Sequence, residues 1–385
     1  MRLRVISISL LLINIMMLSS CWNHKDIEMV AIAAGLAIDR DEKTNLIIAT
    51  IEIIDLQSGG EKGAITSMLV EAEGETVFDA IRNAIMKIGE KVFWGHCKIL
   101  IVSEDIAREG IISVIDFTER DAETRSDLWI VISRSRTAKD ILAASIESNE
   151  IIAFHLDETL RSDKHVSKFA SGDFSELIRT LKVKTASSLI PTVTTMGSNE
   201  EMFIEVSGTG VLKDDKLVYI LNENESKITL LIRNQLKGGL LILSEKPPNG
   251  GKVNITLEIF NSKTKLKPVI QENKIYFYID IKLDVGIGEI DGRENYIEKD
   301  KREKVAKHMG EIIENQIIDL VKKTQVNDST DIFDFGSAIQ RRMPKYWKEI
   351  ESNWDEMYQI IEVIPNVEIN ITRSALSFET IKVGD

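Results

Sequence analysis

Apolar and polar positions along this chain follow two rhythms, a period of two and a period near 3.6, and they alternate several times. Val30 to Ile38 and Leu46 to Ile54 are apolar runs joined by the polar connection Asp39-Arg40-Asp41-Glu42-Lys43-Thr44-Asn45, which predicts neighbouring strands in a hairpin. Gln57 to Gly63 reads as a glycine-rich loop. Thr76, with Asp79 three residues on, predicts a capped helix start, and Val77, Ile81, Ala84 and Ile88 then share one face. Cys97 to Val102 and Leu128 to Ser133 read as buried strands, and Asp173 to Lys184 as a further helix.

The second half opens on strand signals at Met202 to Val211 and Leu217 to Leu221. Asn222 and Glu225 predict a capping box, with Gly238-Gly239 stopping that helix. Val253 to Phe260 and Lys274 to Val285 are long strand-like runs. In the first, Val253, Ile255, Leu257 and Ile259 alternate with Asn254, Thr256 and Glu258, as in a sheet with one solvated face. About Ile297 to Thr324 runs the strongest helix, striped by Val305, Met309, Ile312, Ile313, Ile317, Leu320 and Val321. Val367, Ile369 and Ile371 alternate in a final strand expected to close a sheet against it. The pattern predicts an α+β, multidomain chain of mixed α/β units, with mostly antiparallel sheets, packed helices and one long helix against the C-terminal sheet. No internal repeat stands out.

Length supports several domains: 385 residues are enough for two or three, each with a real core. All six prolines fall between Pro191 and Pro365, and the sequence around 185–200 turns to Thr, Ser, Gly and Asn. The expected division is therefore 21–199, an N-terminal α/β region that can split into two subdomains, and 200–385, a C-terminal α/β domain. Charge adds an exclusion. With 48 Lys and Arg against 61 Asp and Glu, the net charge is −13, unsuited to a nucleic-acid binder that needs a basic face.

The first residues change the picture more. Arg2 and Arg4 precede an almost uncharged apolar run, Val5 to Met17, too short for a comfortable membrane span. Leu18-Ser19-Ser20-Cys21 follows at once. Residues 1–20 read as a secretory signal, and a cysteine straight after Leu-x-small resembles the lipobox of bacterial lipoproteins. That resemblance implies a diacylglyceryl thioether on Cys21, which becomes the new N-terminus. Removing residues 1–20 takes away Arg2 and Arg4, leaving 365 residues at a net charge of −15. Cys97 is then the remaining thiol, which makes an intrachain disulfide impossible, and its apolar setting marks it as a core residue rather than a nucleophile.

Chemistry is sparse. His24, His96, His155, His165 and His308 are scattered, and none has a partner at metal-ligand spacing. No Gly-x-Ser-x-Gly elbow or phosphate loop is present, and Gly286-Ile287-Gly288 lacks the third glycine of a dinucleotide site. No catalytic residue, metal or cofactor is expected, and the stretch Asp291 to Lys304 reads as a solvated loop and helix start.

Several segments carry a family pattern. Cys21-Trp22-Asn23-His24-Lys25-Asp26-Ile27-Glu28, followed by Gly35-Leu36-Ala37-Ile38-Asp39, resembles the start of spore germination proteins of the GerAC, or Ger(x)C, family. Phe93-Trp94-Gly95-His96-Cys97-Lys98 and Arg120-Asp121-Ala122-Glu123-Thr124-Arg125 match further stretches. Asp331-Ile332-Phe333-Asp334-Phe335-Gly336, then Pro344-Lys345-Tyr346-Trp347 and Asn353-Trp354, resembles its most specific signature, with Asp334 where a glycine is expected. The resemblance implies three mixed α/β domains and a non-enzymatic, lipid-anchored C subunit of a germinant receptor. It also implies assembly with membrane A and B subunits at the outer face of the spore inner membrane. It does not assign germinant contact to this subunit. On the residues themselves, Asp331 is expected to cap a helix that Pro344 ends, with Trp347, Ile350 and Trp354 forming a core stripe on the next. Trp94 and His96 are expected to anchor a strand turn. A solute-binding lipoprotein of a transporter is the alternative reading, and a surface hydrolase a third.

Overall fold

The apolar run from Val30 onward forms an inner strand of the first sheet. Val30–Arg40 (β1) pairs antiparallel with Ile47–Asp55 (β2), the expected hairpin, and Thr66–Gly74 (β3) adds to β2. This computed structural model describes residues 30–55, 65–144, 151–170, 172–183, 187–198, 201–246, 251–272, 274–291, 296–326 and 329–374. The signal segment 1–20, the lipidation residue Cys21, the Trp22 to Glu28 cluster and the loop Gln57 to Gly63 lie outside the described residues.

Val77–Ile88 (α1) starts where expected: the Thr76 hydroxyl accepts the Asp79 amide, and Gly89 closes the helix in a left-handed conformation, φ 80°. After it come Lys91–Phe93 (β4), Ile99–Ser103 (β5), Glu104–Glu109 (α2), Ile112–Arg120 (α3) and Trp129–Ser133 (β6). Lys139–Leu142 (α4), Ile152–Arg161 (α5), Asp163–Val166 (α6) and Phe174–Leu181 (α7) lead to the strands Ser188–Ser198 (β7), Glu201–Lys213 (β8) and Lys216–Leu221 (β9). Among the described residues these strands make a nine-stranded sheet in the order β3-β2-β1-β5-β6-β7-β8-β9, with β4 beside the start of β1. Its flanks are antiparallel, and its centre, β1-β5-β6-β7, is parallel. Strands from both sides of residue 200 therefore share one sheet.

Both faces of that sheet are covered, as a parallel centre requires. Leu36, Ile38, Leu100, Val102, Ile130 and Ile132 pack under α1, α2, α3 and α7. Ala34, Ala37, Ile99, Ile101 and Val131 pack under α4 and α5 on the other side. Near-continuous burial along β5 and β6 is the result.

Glu223–Ile232 (α8) carries the expected capping box, Asn222 and Glu225 bonding reciprocally. Its end differs from expectation. The helix stops at Ile232, six residues before Gly238, and Asn234 takes the left-handed turn at φ 58°. Gly238 and Gly239 serve close packing instead: a Cβ on Gly238 would lie 2.3 Å from the Lys164 carbonyl.

Leu240–Glu245 (β10), Val253–Gln271 (β11), Lys274–Asp291 (β12) and Glu362–Ser374 (β13) form a second, four-stranded sheet in that order. The first three are antiparallel, and β13 joins β12 in parallel. Lys299–Val326 (α9) lies on one face, its buried residues Val305, Met309, Ile313, Ile317, Leu320 and Val321 following the expected stripe. Gly310 lets this helix approach β13, since a Cβ there would sit 2.9 Å from the Val367 carbonyl. Phe335–Arg342 (α10), Pro344–Ile350 (α11) and Trp354–Gln359 (α12) fill the remaining side. Pro344 occupies the first turn of α11, where its missing N–H costs nothing. The molecule is thus of mixed α/β class with two mixed sheets and a long C-terminal helix. None of the helices among the described residues is long and apolar enough to cross a membrane.

Candidate functional site

Three buried carboxylates each accept backbone amides at a helix start. Asp39, closing Gly35-Leu36-Ala37-Ile38-Asp39 at the end of β1, accepts the amides of Ala138 at 2.6 Å and Lys139 at 2.9 Å, at the start of α4. Glu52, inside β2, accepts the amides of Ile152 and Ala153, both at 2.9 Å, at the start of α5, and the Ser67 hydroxyl at 2.8 Å. Asp331 accepts the amides of Phe333 at 3.0 Å, Phe335 at 3.2 Å and Gly336 at 2.8 Å, at the start of α10. In each case a strand or loop acid satisfies the orphan donors of a helix N-terminus and meets the positive end of its dipole.

Burial pushes all three carboxyls up. For Asp331 the rise is to about 6, with the amide bonds opposing it. For Asp39 and Glu52 the same balance of desolvation against amide donors leaves a rise of the same sign. Perturbed carboxyls of this kind often mark catalytic groups. Here their oxygens are committed to backbone amides. Asp39 and Glu52 act as pegs between sheet and helix, and Asp331 ties a loop to the helix that follows it.

Gly35 completes the second peg. A Cβ there would stand 2.9 Å from the Ala153 Cβ, so the absence of a side chain lets α5 come down onto β1. Asp331 gives its helix the expected side-chain acceptor, but from three residues before the N-cap position, which Asp334 occupies, and Asp334 supplies the reason for the expected glycine. Its φ of 68° and ψ of 28° place it in the left-handed region, which glycine adopts freely and aspartate tolerates. The tight backbone turn is kept despite the substitution.

The remaining signature residues are core. Phe335 stacks on Phe277 of β12 at 4.2 Å between ring centroids, and Phe333 leans on Phe335 at 5.3 Å. Trp347 and Trp354 meet edge to face at 5.2 Å. They do not share one helix as expected: α11 ends at Ile350, a 3₁₀ turn spans Glu351–Asn353, and Trp354 opens α12. Both indoles, with Ile350, are buried all the same. Arg233, at the end of α8, ties this region to the first sheet, donating from Nε to the Ile332 carbonyl at 2.8 Å and from Nη2 to the Ser187 carbonyl at 2.9 Å. Ser187 in turn donates to the Asp331 carbonyl at 2.9 Å. Burial lowers the Arg233 guanidinium from its ordinary value, opposed by the nearby charges of Asp334 and Asp331.

In the first half, Trp94 is buried edge-on against Phe117 at 5.8 Å, and the Cys97 amide closes a turn onto the Trp94 carbonyl at 3.0 Å. Cys97 lies in that turn, two residues before β5 begins, rather than in the strand itself. It is fully enclosed, and burial pushes its thiol up to about 12, far from nucleophilic. His96 flanks the Phe93 ring at 6.0 Å. The structure thus brings Trp94, His96 and Cys97 to one turn. It leaves His155, His165 and His308 on separate elements, with His308 beside Glu245 at 2.8 Å. Among the described residues no group of His, Cys, Asp and Glu is placed to hold a metal ion.

Two of the concave regions exceed 600 Å³. A groove of about 620 Å³ between α1 and α3 is lined by Phe78, Ile112, Phe117, Asp116 and Arg120, with Phe78 and Phe117 stacked at 5.5 Å. A second, of about 610 Å³, lies where β8 meets α12, bordered by Lys213, Asp331, Trp354 and Asp355, and bridged by the Lys213–Asp355 ion pair at 2.7 Å. Neither gathers the convergent acid, base and nucleophile of a hydrolase. The groove and the pegs Asp39 and Glu52 escaped the sequence reading; the trace they leave there is a lone charge, Glu52, between Ile51 and Ile53.

The comparisons agree with this architecture over nearly the whole chain. Residues 23–195 match the spore germination protein N-terminal domain, and residues 207–375 match the C-terminal domain described as spore germination B3/GerAC like. The chain belongs to the Ger(x)C family of spore germination proteins. It is similar to spore germination protein KC of Bacillus subtilis (strain 168), 22% identical over 94% of this chain and 92% of that one. Spore germination protein B3 of the same organism is 25% identical over 91% of this chain and 92% of its own. A crystal structure of the GerBC protein shares the fold, with a TM-score of 0.59 at 21% identity, covering 90% of this chain and 99% of that one.

Proposed function

We propose that this protein is the lipid-anchored C subunit of a spore germinant receptor, held through Cys21 at the outer face of the spore inner membrane. There it assembles with the membrane A and B subunits and helps convert nutrient binding into the start of germination, without catalysing a reaction itself. The observation that carries this reading is the order of features: a lipobox-like Leu18-Ser19-Ser20-Cys21 placed directly before a full-length family match. Two acyl chains suffice for a stable anchor at about 0.8 kcal/mol per buried CH₂. A chain of −15 gains no general attraction to anionic headgroups, so charge could not replace the lipid.

The test is palmitate labelling together with co-purification. Wild-type protein is expected to incorporate label and to recover A- and B-type membrane subunits after mild detergent extraction. Cys21→Ala is expected to lose the label and to remain unprocessed or be released. Continued labelling of that variant, or repeated failure to recover either membrane subunit, overturns the reading.

A further inference from the structure

Several strand edges in the two sheets are closed by side chains. On β13 the outward Val367 amide donates to the Glu314 carboxylate of α9 at 2.8 Å, and Pro365, on the same side of the strand, has no N–H to offer. On β3 the Glu73 and Glu71 carbonyls accept Asn83 at 2.9 Å and Lys87 at 2.6 Å from α1. Where β11 runs on past β10, Asn234 accepts the Thr264 amide at 2.7 Å, and Pro268 follows four residues later. Caps and prolines of this kind keep unpaired strand backbone from recruiting another chain.

Over Ile242 to Ser244, β10 lacks this protection. The strand reads Leu240-Leu241-Ile242-Leu243-Ser244-Glu245, with no Pro or Lys, and its register against β11 has no bulge. The Ile259 amide bonds the Gly239 carbonyl at 2.9 Å, which fixes the antiparallel alternation. Leu241, Leu243 and Glu245 turn their backbone groups to β11, and Leu240, Ile242 and Ser244 turn theirs outward. Lys227 of α8 agrees with that direction, closing the edge at its Leu240 end by donating to the Leu240 carbonyl at 2.6 Å. Among the described residues nothing accepts the Ile242 or Ser244 amide, and nothing donates to their carbonyls.

The side chains beside this bare backbone are apolar. Ile242 is 65% and Leu240 45% exposed, and Phe260, two residues past the Glu258 that pairs with Leu240, is 52% exposed. Lys227, half-buried at the Leu240 end, makes no ion pair among the described residues. We propose that the outer edge of β10 is a strand-addition site for an extended segment of a partner protein, apolar at alternate positions and carrying a carboxylate beside Lys227. Backbone bonds to Ile242 and Ser244 hold the segment as a fifth strand, its alternate side chains lie beside Leu240 and Ile242, and its carboxylate meets the Lys227 ammonium. An edge of six residues suits a peptide segment rather than a second folded copy, because a stable interface buries about 1,600 Å² in all. Nothing in this contact depends on the lipid at Cys21.

The test follows, by fluorescence anisotropy, a fluorescein-labelled peptide of alternating valine and threonine ending in glutamate as it binds the full chain in mild detergent. Saturable binding is expected, weakened about tenfold or more when the peptide amides are N-methylated, which removes backbone donors and keeps the side chains. Ile242→Pro, placed where the N–H faces outward and serves no ladder bond, is expected to weaken binding as much in a chain that still melts cooperatively. Lys227→Gln is expected to weaken the glutamate peptide and to leave a peptide ending in glutamine unchanged. Absence of saturable binding, or equal binding of the N-methylated peptide, overturns the proposal. Because methylation alters the peptide alone, that comparison holds even where a variant fails to fold. Folded Ile242→Pro that binds like the wild type also overturns it. Self-association of the wild type in sedimentation, abolished by Ile242→Lys, would assign the edge to a second copy, and the proposal would fall.

Discussion

The Asp331 carboxylate accepts the amide of Gly336 at 2.8 Å while standing almost wholly out of solvent. Its carboxyl is pushed from an ordinary 3.8 to about 6, so the folded chain binds a proton there that the unfolded chain has already released. Stability contributed by this group is thus fully present below about pH 4 and is lost as pH rises through about 6, a change on the order of 3 kcal/mol. Asp39 and Glu52, raised by the same cause, add slopes of the same sign. The lowered carboxyls Asp41, Asp116 and Asp127 tilt the other way, but they sit at the surface, where solvent screens them. Urea denaturation at a series of pH values is expected to show a shallower decline between pH 4 and 6 in Asp331→Asn than in the wild type. An unchanged profile would remove Asp331 from the account.

Asp334 pays for its left-handed backbone. Replacing it with glycine relieves about 1 kcal/mol of steric cost and gives up the 3.2 Å hydrogen bond from Ser337, so Asp334→Gly is expected to be neutral or stabilising by up to that amount. Asp334→Val, β-branched at positive φ, is expected to lower the melting temperature. A glycine variant less stable than the valine one would contradict the conformational argument.

Gly35 and Glu52 hold α5 from two sides. Gly35→Leu drives a side chain into Ala153, Ile99 and Leu142, and is expected to cost about 1–3 kcal/mol. Glu52→Ala leaves the amides of Ile152 and Ala153 without their acceptor, a loss of similar size, whereas Glu52→Gln keeps one acceptor oxygen and is milder. Amide exchange at Ile152 and Ala153 reports the difference directly: faster at both in the alanine variant, and faster at only one of the two in the glutamine variant.

Cys97 is expected to resist iodoacetamide in the native protein at pH 8 and to react at the ordinary rate once unfolded in guanidinium. Because the side chain fills a closed space near Trp94, the loss on Cys97→Ala is expected to be about 1 kcal/mol. Rapid native alkylation would mean that the turn at Trp94 opens.

Much of this fold is legible locally. The β1–β2 hairpin, the Thr76 cap, the Asn222 capping box and the stripe of α9 follow from residues within a few positions of one another. What the sequence concealed is set by long-range pairing. The parallel order β1-β5-β6-β7 joins strands separated by helices, and no periodicity encodes which strand will neighbour which. Asp39 looked like the first residue of a polar connection, yet it is buried because helix α4, 99 residues later, brings it two amides. Gly238 and Gly239 resembled a helix stop, but the partner that needs their small size is the backbone at Lys164 and Val166. In the signature region the reading as core and cap was recoverable, because Asp331, Phe335 and Gly336 lie close together in the chain and fold on themselves.

The pairing of β7 with β8 carries a consequence for how such chains can be inherited. Those strands face each other from Ser188 and Leu212 down to Ser198 and Glu201, directly at the junction of the two family domains, residues 195 and 207. A recombination event joining the first half of one relative to the second half of another would have to match two long strands from different parents along their whole shared edge. A mismatched hybrid would present unpaired backbone to its neighbours and aggregate. The two domains are therefore bound to travel as a pair, and descent within the family should show their histories moving together rather than being shuffled.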